Sequence, residues 1–402
     1  MSVRGFWGWL HRWAGLTTAG FLILVGLTGS LLAFLPEINH SLTPELYPGP
    51  HGPELEAPTL VRHAEKLIPD AKATAVYFGW PGMAMVRMER RPGSPPIDFN
   101  YLHLDAVTGV ELGRVNRGAL PRALGELMPF IYTLHYNLAA GEIGGWILGI
   151  VALVWTIDCF IAFYLTLPLP NRNGAENFLS RWKPAWRIKW RASAYRINFD
   201  LHRAGGLWLW GILLIFAWSS VSFNLNGFYT SATRLFFDIE QGIWSSPTRP
   251  AIRDGREPLD WEQAYATGTE LMEGQAQAHG FSIERPVAFY FIRSKGAYEY
   301  RVRSSLDIAS RIAATSIAFD AYTGEFIMLN LPTGWKSGNT LTTWLRALHT
   351  ANVFGVPYKI FVSLVGLTIA MLSVTGVYIW WRKRSARRAH VHRTAPQPAP
   401  AE

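Results

Sequence analysis

The stretch Leu10-His11-Arg12-Trp13-Ala14-Gly15-Leu16 recurs as Leu201-His202-Arg203-Ala204-Gly205-Gly206-Leu207, with five of seven positions identical. Each copy leads into a long apolar segment. Farther along, Leu134-His135 and Leu348-His349 each precede another apolar segment. Because the same features follow in the same order twice, the sequence indicates an internal tandem duplication.

Four apolar segments are long enough to cross a hydrocarbon core of about 30 Å. Asp158 is the only acidic or basic residue within them. A composition of 49% hydrophobic and 17% charged residues also favours a membrane protein over an ordinary soluble one. We therefore predict an α-helical four-helix transmembrane bundle. The segments are residues 13–36, 143–167, 204–233 and 360–381.

The loops predict the orientation, because Lys and Arg accumulate on the cytoplasmic side of membrane proteins. Residues 168–199 hold seven Lys/Arg and one acidic residue, Glu176, and the tail after residue 381 opens with three basic residues. Both termini are then cytoplasmic. The net charge of +9 is explained by topology and by contact with the anionic lipid bilayer, so we predict no nucleic-acid partner.

The two long stretches on the far side each resemble a small α+β unit in their pattern. Residues 60–67 and 261–279 space their apolar residues for one buried helix face. An Asp-x-x-Thr-Gly sequence follows each, at residues 105–109 and 320–324, between segments of alternating polarity. These predict two β-hairpins with a glycine in the turn.

Four of the eleven histidines occupy equivalent positions in the two halves. The topology places His11 and His202 at the cytoplasmic face, and His135 and His349 at the outer face. Two imidazoles from facing helices are what a non-covalently held b-type haem requires as axial ligands. We predict two such haems, one per face. Copper or zinc sites and purely structural histidines remain alternatives, since imidazole also suits those metals. The single cysteine, Cys159, excludes c-type haem attachment and iron–sulfur clusters.

Three further residues are candidates for function. Arg12 and Arg203 each follow a histidine and could contact haem propionates, or could simply anchor the cytoplasmic face. Asp158 lies within an apolar segment, where a carboxylate is costly and often functional. It could carry protons, pair with Arg12, or be protonated and hydrogen-bonded to a neutral partner.

The two halves differ at one place that bears on packing. Aligning the returning helices on Gly149 and Gly366 sets Asp158-Cys159 opposite Thr375-Gly376. The first half therefore lacks the small-residue pair of the second, and close helix packing is less expected there.

Residues 11–16, running into 25–30, resemble the first helix of the PepSY-associated transmembrane family, and residues 375–382 resemble its last helix. The Asp-x-x-Thr-Gly hairpins resemble PepSY domains, so the resemblance covers nearly all of residues 1–388. It implies a multi-pass protein of the bacterial inner membrane with two α+β PepSY-like periplasmic domains. The haem ligands that it implies are His11, His135, His202 and His349.

The resulting fold class is an integral membrane protein in which a four-helix transmembrane bundle carries two PepSY-like domains. The predicted segments are transmembrane helix 1 (1–36), the first periplasmic domain (37–134), helix 2 (135–167), a basic cytoplasmic loop (168–199), helix 3 (200–225), the second periplasmic domain (226–348), helix 4 (349–382) and a cytoplasmic tail (383–402).

The family includes iron-regulated inner-membrane proteins, so the resemblance implies a di-haem oxidoreductase that reduces a periplasmic ferric siderophore and releases its iron. No nicotinamide-binding glycine pattern occurs, so the electron donor would be a separate molecule, a quinol or a cytoplasmic reductase. The main alternative is a haem-free membrane scaffold whose PepSY domains bind peptides or regulate a peptidase. A transporter ranks third, because the sequence predicts no broken helices.

Overall fold

The computed structural model describes residues 1–169, 177–246, 257–311 and 313–394, so Glu176 and the tail beyond Thr394 lie outside the described residues. Its helices are α1 (Val3–Leu32), α2 (Leu35–Leu42), α3 (Ala57–Leu67), α4 (Leu124–Asn137), α5 (Gly141–Thr166), α6 (Phe178–Trp182), α7 (Ala194–Trp208), α8 (Trp210–Asn224), α9 (Asn226–Thr233), α10 (Trp261–His279), α11 (Ser337–His349) and α12 (Gly355–Thr394). Its strands are β1 (Ala71–Trp80), β2 (Met83–Arg90), β3 (Tyr101–Asp105), β4 (Glu111–Val115), β5 (Ile283–Ile292), β6 (Ala297–Ser304), β7 (Thr315–Asp320) and β8 (Phe326–Asn330).

The chain forms two compact units. The helical unit comprises the described residues of 1–31, 145–224 and 360–394, and the sheet unit comprises those of 32–144 and 225–359. Each half of the internal repeat therefore contributes residues to both units.

Three helices are long and apolar enough to cross a membrane: α1, α5 and α12 over Gly355–Ala386. Helices α7 and α8 pass the same test only together, as a pair bent by 70°. The described chain thus has three candidate spans, or four if the bent pair counts as one. The last helix continues to Thr394, twelve residues beyond the predicted end of the fourth span at residue 382.

The bend between α7 and α8 was not predicted from the sequence. Gly205 and Gly206 come just before it and Gly211 just after it, and glycine weakens a helix and accompanies sharp kinks. The flanking tryptophans are held by different segments, since the indole N–H of Trp208 donates to the Trp186 carbonyl at 3.1 Å. That of Trp210 donates to the carbonyl of Cys159, on α5, at 2.9 Å.

Helices α1 and α12 cross at two glycines. A Cβ added to Gly26 would lie 2.6 Å from the carbonyl oxygen of Gly366, and one added to Gly366 would lie 2.6 Å from that of Gly26. One turn away, the Ser30 hydroxyl donates to the Ser363 carbonyl at 2.8 Å, and the Ser363 hydroxyl donates back to the Ser30 carbonyl at 3.0 Å. Small residues thus allow close backbone approach and interhelical hydrogen bonds, as is common between membrane helices.

The sheet unit contains one eight-stranded antiparallel sheet of order β4-β3-β2-β1-β5-β6-β7-β8. Strands β1 and β5 join the two halves, with Val76 opposite Phe289. Helices α3 and α10 pack on one face over a core that includes Leu60, Val86 and Phe319. The two predicted α+β segments therefore share one sheet and one core instead of forming two separate domains.

The Asp-x-x-Thr-Gly sequences form the predicted hairpins, β3–β4 and β7–β8. The Asp105 carboxylate accepts hydrogen bonds from the backbone N–H groups of Val107 and Thr108, at 2.9 and 2.8 Å, and Asp320 does the same in the second half. Gly109 and Gly324 follow with φ of 73° and 76°, which favours glycine. The Asp-x-x-Thr-Gly motif therefore stabilises the turn of each hairpin.

Two histidine pairs as candidate metal sites

His11 and His202 meet in the helical unit. His11 lies on α1 and His202 on α7, and their ring centroids are 6.1 Å apart with an angle of 54° between the ring planes. The His11 side chain keeps 30% of its surface accessible, so the pair is not sealed from a ligand. The structure thus brings together the two histidines that the repeat predicts to match.

Each of these rings is held through Nδ1. The His11 Nδ1 lies 2.9 and 3.0 Å from the two carboxylate oxygens of Asp158, on α5. The His202 Nδ1 lies 3.0 Å from the Leu372 carbonyl and 3.1 Å from the Thr375 hydroxyl, both on α12. With the proton on Nδ1, each ring donates to these oxygens and leaves Nε2 as a free lone pair. Metal-binding histidines are usually oriented in this way.

Asp158 and Thr375 are the residues that the internal alignment sets opposite each other, and they do the same task in the two halves. The sequence offered Arg12 as one partner for Asp158. The structure instead pairs the Asp158 carboxylate with His11. The small residue Gly376 also has a clear reason, because a Cβ there would lie 3.1 Å from Cε1 of His202. The glycine makes room for the imidazole ring.

His135 and His349 meet in the sheet unit. They lie near the ends of the short helices α4 and α11, and their ring centroids are 6.3 Å apart with a ring-plane angle of 68°. Left-handed residues end the local helical path, with φ of 58° at Leu138 and 52° at Ala351. The apolar spans α5 and α12 begin after these turns. His135 and His349 therefore lie on short helices that are separate from the spans.

One arginine and one tyrosine lie on the same helix faces as the second pair. Arg346 precedes His349 by three residues and Tyr132 precedes His135 by three, so each lies on the same helix face as its histidine. Arg346 is accessible to solvent. Crowding by protein atoms and the nearby charge of Arg301 nevertheless lower the pKa of the Arg346 guanidinium.

Arg301 and Glu299 are functional candidates that the sequence analysis missed. The Arg301 Nη2 donates to the Glu299 carboxylate at 2.9 Å, and its guanidinium lies 5.1 Å from the ring centroid of Tyr290. The buried Nε of Arg301 has no hydrogen-bond partner among the described residues. The sequence does contain a pattern that could have indicated this ion pair. Two opposite charges stand at i and i+2 in a largely buried strand, and this spacing puts both side chains on one face of the sheet.

The ring separations can be compared with the geometry of a shared metal. Two imidazoles bound at about 2 Å, each with its nitrogen about 1.1 Å from the ring centroid, place the centroids about 6.2 Å apart if they are on opposite sides of the metal. A tetrahedral angle would bring the centroids to about 5 Å. The observed 6.1 and 6.3 Å match the opposed arrangement. The ring-plane angle is free to vary by rotation about the metal–nitrogen bonds.

The number of ligands also bears on the kind of metal. Within the described residues, no group of three or more His, Cys, Asp or Glu side chains is placed to hold an ion. Zinc and copper sites need three or four protein ligands. Haem iron needs only two, because the porphyrin supplies four nitrogens, so the residues present fit a bis-histidine haem better than a bare ion.

The two arginines predicted to contact propionates differ in their surroundings. Arg12 is exposed. Arg203 donates through Nη2 to the buried Asp200 at 2.8 Å and to the Pro184 carbonyl at 2.7 Å, while Arg196 reaches the other Asp200 oxygen at 3.0 Å. The buried Nε of Arg203 has no hydrogen-bond partner within the described ranges. An anionic group placed there would satisfy this donor, as it would at Arg301.

The family model for the PepSY-associated TM region matches residues 8–383, a stretch that includes both histidine pairs. Comparison with curated proteins found no match.

Proposed function

This chain belongs to the PepSY-associated TM family of membrane proteins, and on that premise we propose that it is an inner-membrane di-haem reductase for periplasmic ferric siderophores. The observation that carries the proposal is the pair of ring separations, 6.1 and 6.3 Å, between histidines that the repeat matches. The same proposal includes a similarity of this sequence to the ferric-siderophore reductase FoxB. The orientation is the one that the basic loop predicts, with both termini cytoplasmic.

The residues would act by holding two b-type haems. Haem held by these residues would supply one-electron transfer. In the helical unit, Asp158 and Thr375 would orient His11 and His202 so that both Nε2 atoms point to one ligand. In the sheet unit, His135 and His349 would hold the second haem.

The electrons would come from a quinol or a cytoplasmic reductase. A quinol gives two electrons and releases two protons, and each electron reduces one ferric chelate to the ferrous form. Siderophore oxygens are hard ligands that suit ferric iron, and the softer ferrous ion is held less tightly. Reduction would therefore release the iron in the periplasm.

Two other functions make different demands on the structure. A haem-free scaffold that binds peptides or regulates a peptidase gives no reason for both Nε2 atoms of the first pair to be left without hydrogen bonds among the described residues. A transporter built from repeats usually breaks corresponding helices in both halves. Here α7 and α8 are bent at residue 209, whereas α1 is continuous through the equivalent region.

The test is a visible spectrum of the detergent-purified chain, oxidised and dithionite-reduced, with pyridine haemochrome quantitation. We expect two low-spin b-type haems per chain. His202→Ala and His349→Ala should each remove one haem and leave the other, whereas His40→Ala, at an exposed histidine, should remove none. Reoxidation of the reduced haems by a ferric hydroxamate would support the substrate. Absence of haem after expression with ample haem supply would refute the proposal and favour the scaffold.

A further inference from the structure

The segment between α5 and α7 combines tryptophans with basic side chains. Residues 177–193, which we call the tryptophan loop, contain three tryptophans at intervals of four, together with five Lys or Arg and no Asp or Glu. The next carboxylate along the chain, that of Asp200, pairs with Arg196 and Arg203, which lie outside the loop. Asp200 therefore does not form an ion pair with any of the five cationic side chains of the loop.

The tryptophan loop is fixed at the end of an apolar span. The Trp182 indole N–H donates to the hydroxyl of Thr166, the last residue of α5, at 3.3 Å. The backbone N–H of Lys189 donates to the Asp200 carboxylate, on α7, at 3.3 Å. Since α5 is long and apolar enough to cross a membrane, the loop lies at the depth where the hydrocarbon core gives way to lipid headgroups.

A surface hollow of about 520 Å³ opens on this loop, and its lining residues are Lys189, Trp190, Arg191 and Ala192. The backbone N–H of Ala192 donates to the Lys189 carbonyl at 3.0 Å, and this turn places both cationic residues beside the same hollow. Lys189 and Arg191 are exposed, and Trp190 keeps 67% of its surface accessible. The hollow thus offers two cationic donors and one indole to a ligand.

We propose that this hollow binds the headgroup of an anionic phospholipid in the leaflet that borders the tryptophan loop. Lysine and arginine form charge-assisted hydrogen bonds with phosphate oxygens. Lys189 and Arg191 would bind the phosphodiester, and Trp190 would pack on the glycerol and the first carbons of the acyl chains. The exposed indole favours a lipid over an acidic protein as the partner, because tryptophan prefers the boundary between headgroups and acyl chains.

The size of the effect follows from the two charges. Each Lys or Arg near an anionic membrane strengthens binding roughly fivefold, so neutralising both should weaken it about 25-fold. A basic surface also attracts anionic lipid without any defined site, through charges within about 8 Å at physiological ionic strength. The same change of charge at another basic, membrane-proximal position is therefore the control that separates a site from general attraction.

The experiment is native mass spectrometry of the purified full-length chain in detergent, titrated with phosphatidylglycerol or phosphatidylcholine. We expect one phosphatidylglycerol to bind at concentrations at which phosphatidylcholine does not. Lys189→Gln/Arg191→Gln should weaken phosphatidylglycerol binding about 25-fold. Arg382→Gln/Lys383→Gln makes the same charge change at exposed residues of α12 and should leave the affinity nearly unchanged.

A second pair of variants tests the indole without any change of charge. Trp190→Ala should weaken phosphatidylglycerol binding, because it removes the apolar contact with the lipid. Trp146→Ala is the matched control, since Trp146 is 57% exposed on α5 but does not line the hollow. It should leave the affinity unchanged.

Equal binding of the two lipids would overturn the inference, and so would equal losses in the two double variants. Binding of polyglutamate in preference to phosphatidylglycerol would also overturn it, and would assign the loop to an acidic protein. Haem is not needed for this assay, so none of these outcomes decides the reductase proposal.

Discussion

Replacing Asp200 with alanine should destabilise the helical unit strongly. Asp200 has no accessible surface. It accepts hydrogen bonds from Arg196 at 3.0 Å, from Arg203 at 2.8 Å and from the backbone N–H of Lys189 at 3.3 Å. The carboxylate thus ties the start of α7 to the segment before it. Alanine would leave the partly buried Arg203 without its counter-charge.

Removing one partner of a buried ion pair costs about 3–5 kcal/mol, mostly because the other charge stays buried. For a large domain, where 1 kcal/mol corresponds to about 2 °C or more, the midpoint of thermal unfolding should fall by at least about 6 °C. Asp200→Asn should cost less, because the amide keeps an acceptor oxygen of the same shape.

The assay is thermal unfolding in detergent, followed by far-UV circular dichroism. Asp238→Ala is the matched control, because Asp238 pairs with Lys336 at 2.8 Å but is 70% exposed. Exposed pairs contribute little. If Asp200→Ala unfolds at the same temperature as Asp238→Ala, the buried cluster does not support the helical unit, and the reasoning from burial is refuted.

Two further predictions concern the core of each unit. His103 is buried, and this burial, together with the smaller effect of the Arg117 charge, lowers the pKa of its imidazole to about 3, from 6.5 in the unfolded chain. The unfolded state therefore binds the extra proton. The free energy of unfolding falls by up to about 1.4 kcal/mol per pH unit as the pH drops from 6.5 towards 3. His103→Leu should flatten this part of the acid-unfolding profile, and an unchanged slope would contradict the assigned titration. Gly26→Val should cost about 1–3 kcal/mol by forcing α1 away from Gly366, whereas Gly20→Val, with open space around its added Cβ, should be tolerated; equal melting of both variants would show that the helix crossing does not need glycine.

The sequence predicted much of the candidate site because a duplication marks equivalent residues. His11, His135, His202 and His349 stood out by their positions in the repeat, and apolar length located the spans between them. The structure pairs the same residues, His11 with His202 and His135 with His349. Asp158 was visible as a candidate because a carboxylate in an apolar helix is rare.

The partners of these residues could not be predicted. Asp158 is separated from His11 by 147 positions, and Thr375 from His202 by 173. Hydrophobic periodicity reports which face of a helix is apolar but not which distant helix covers it. The difference between Asp158 and Thr375 was therefore interpreted as a matter of helix packing, although both side chains orient a histidine.

The sequence by itself determined the membrane class, the repeat, the four histidines and the two Asp-x-x-Thr-Gly turns, because each depends on composition or on contacts within a few residues. Only the tertiary structure decided that β1 and β5 join the halves into one sheet, and that Arg301 pairs with Glu299 and lies over the Tyr290 ring. It also decided the bend between α7 and α8, where tryptophans donate to distant carbonyls. These features depend on packing between segments far apart in the chain, where local propensity is too weak to choose a partner.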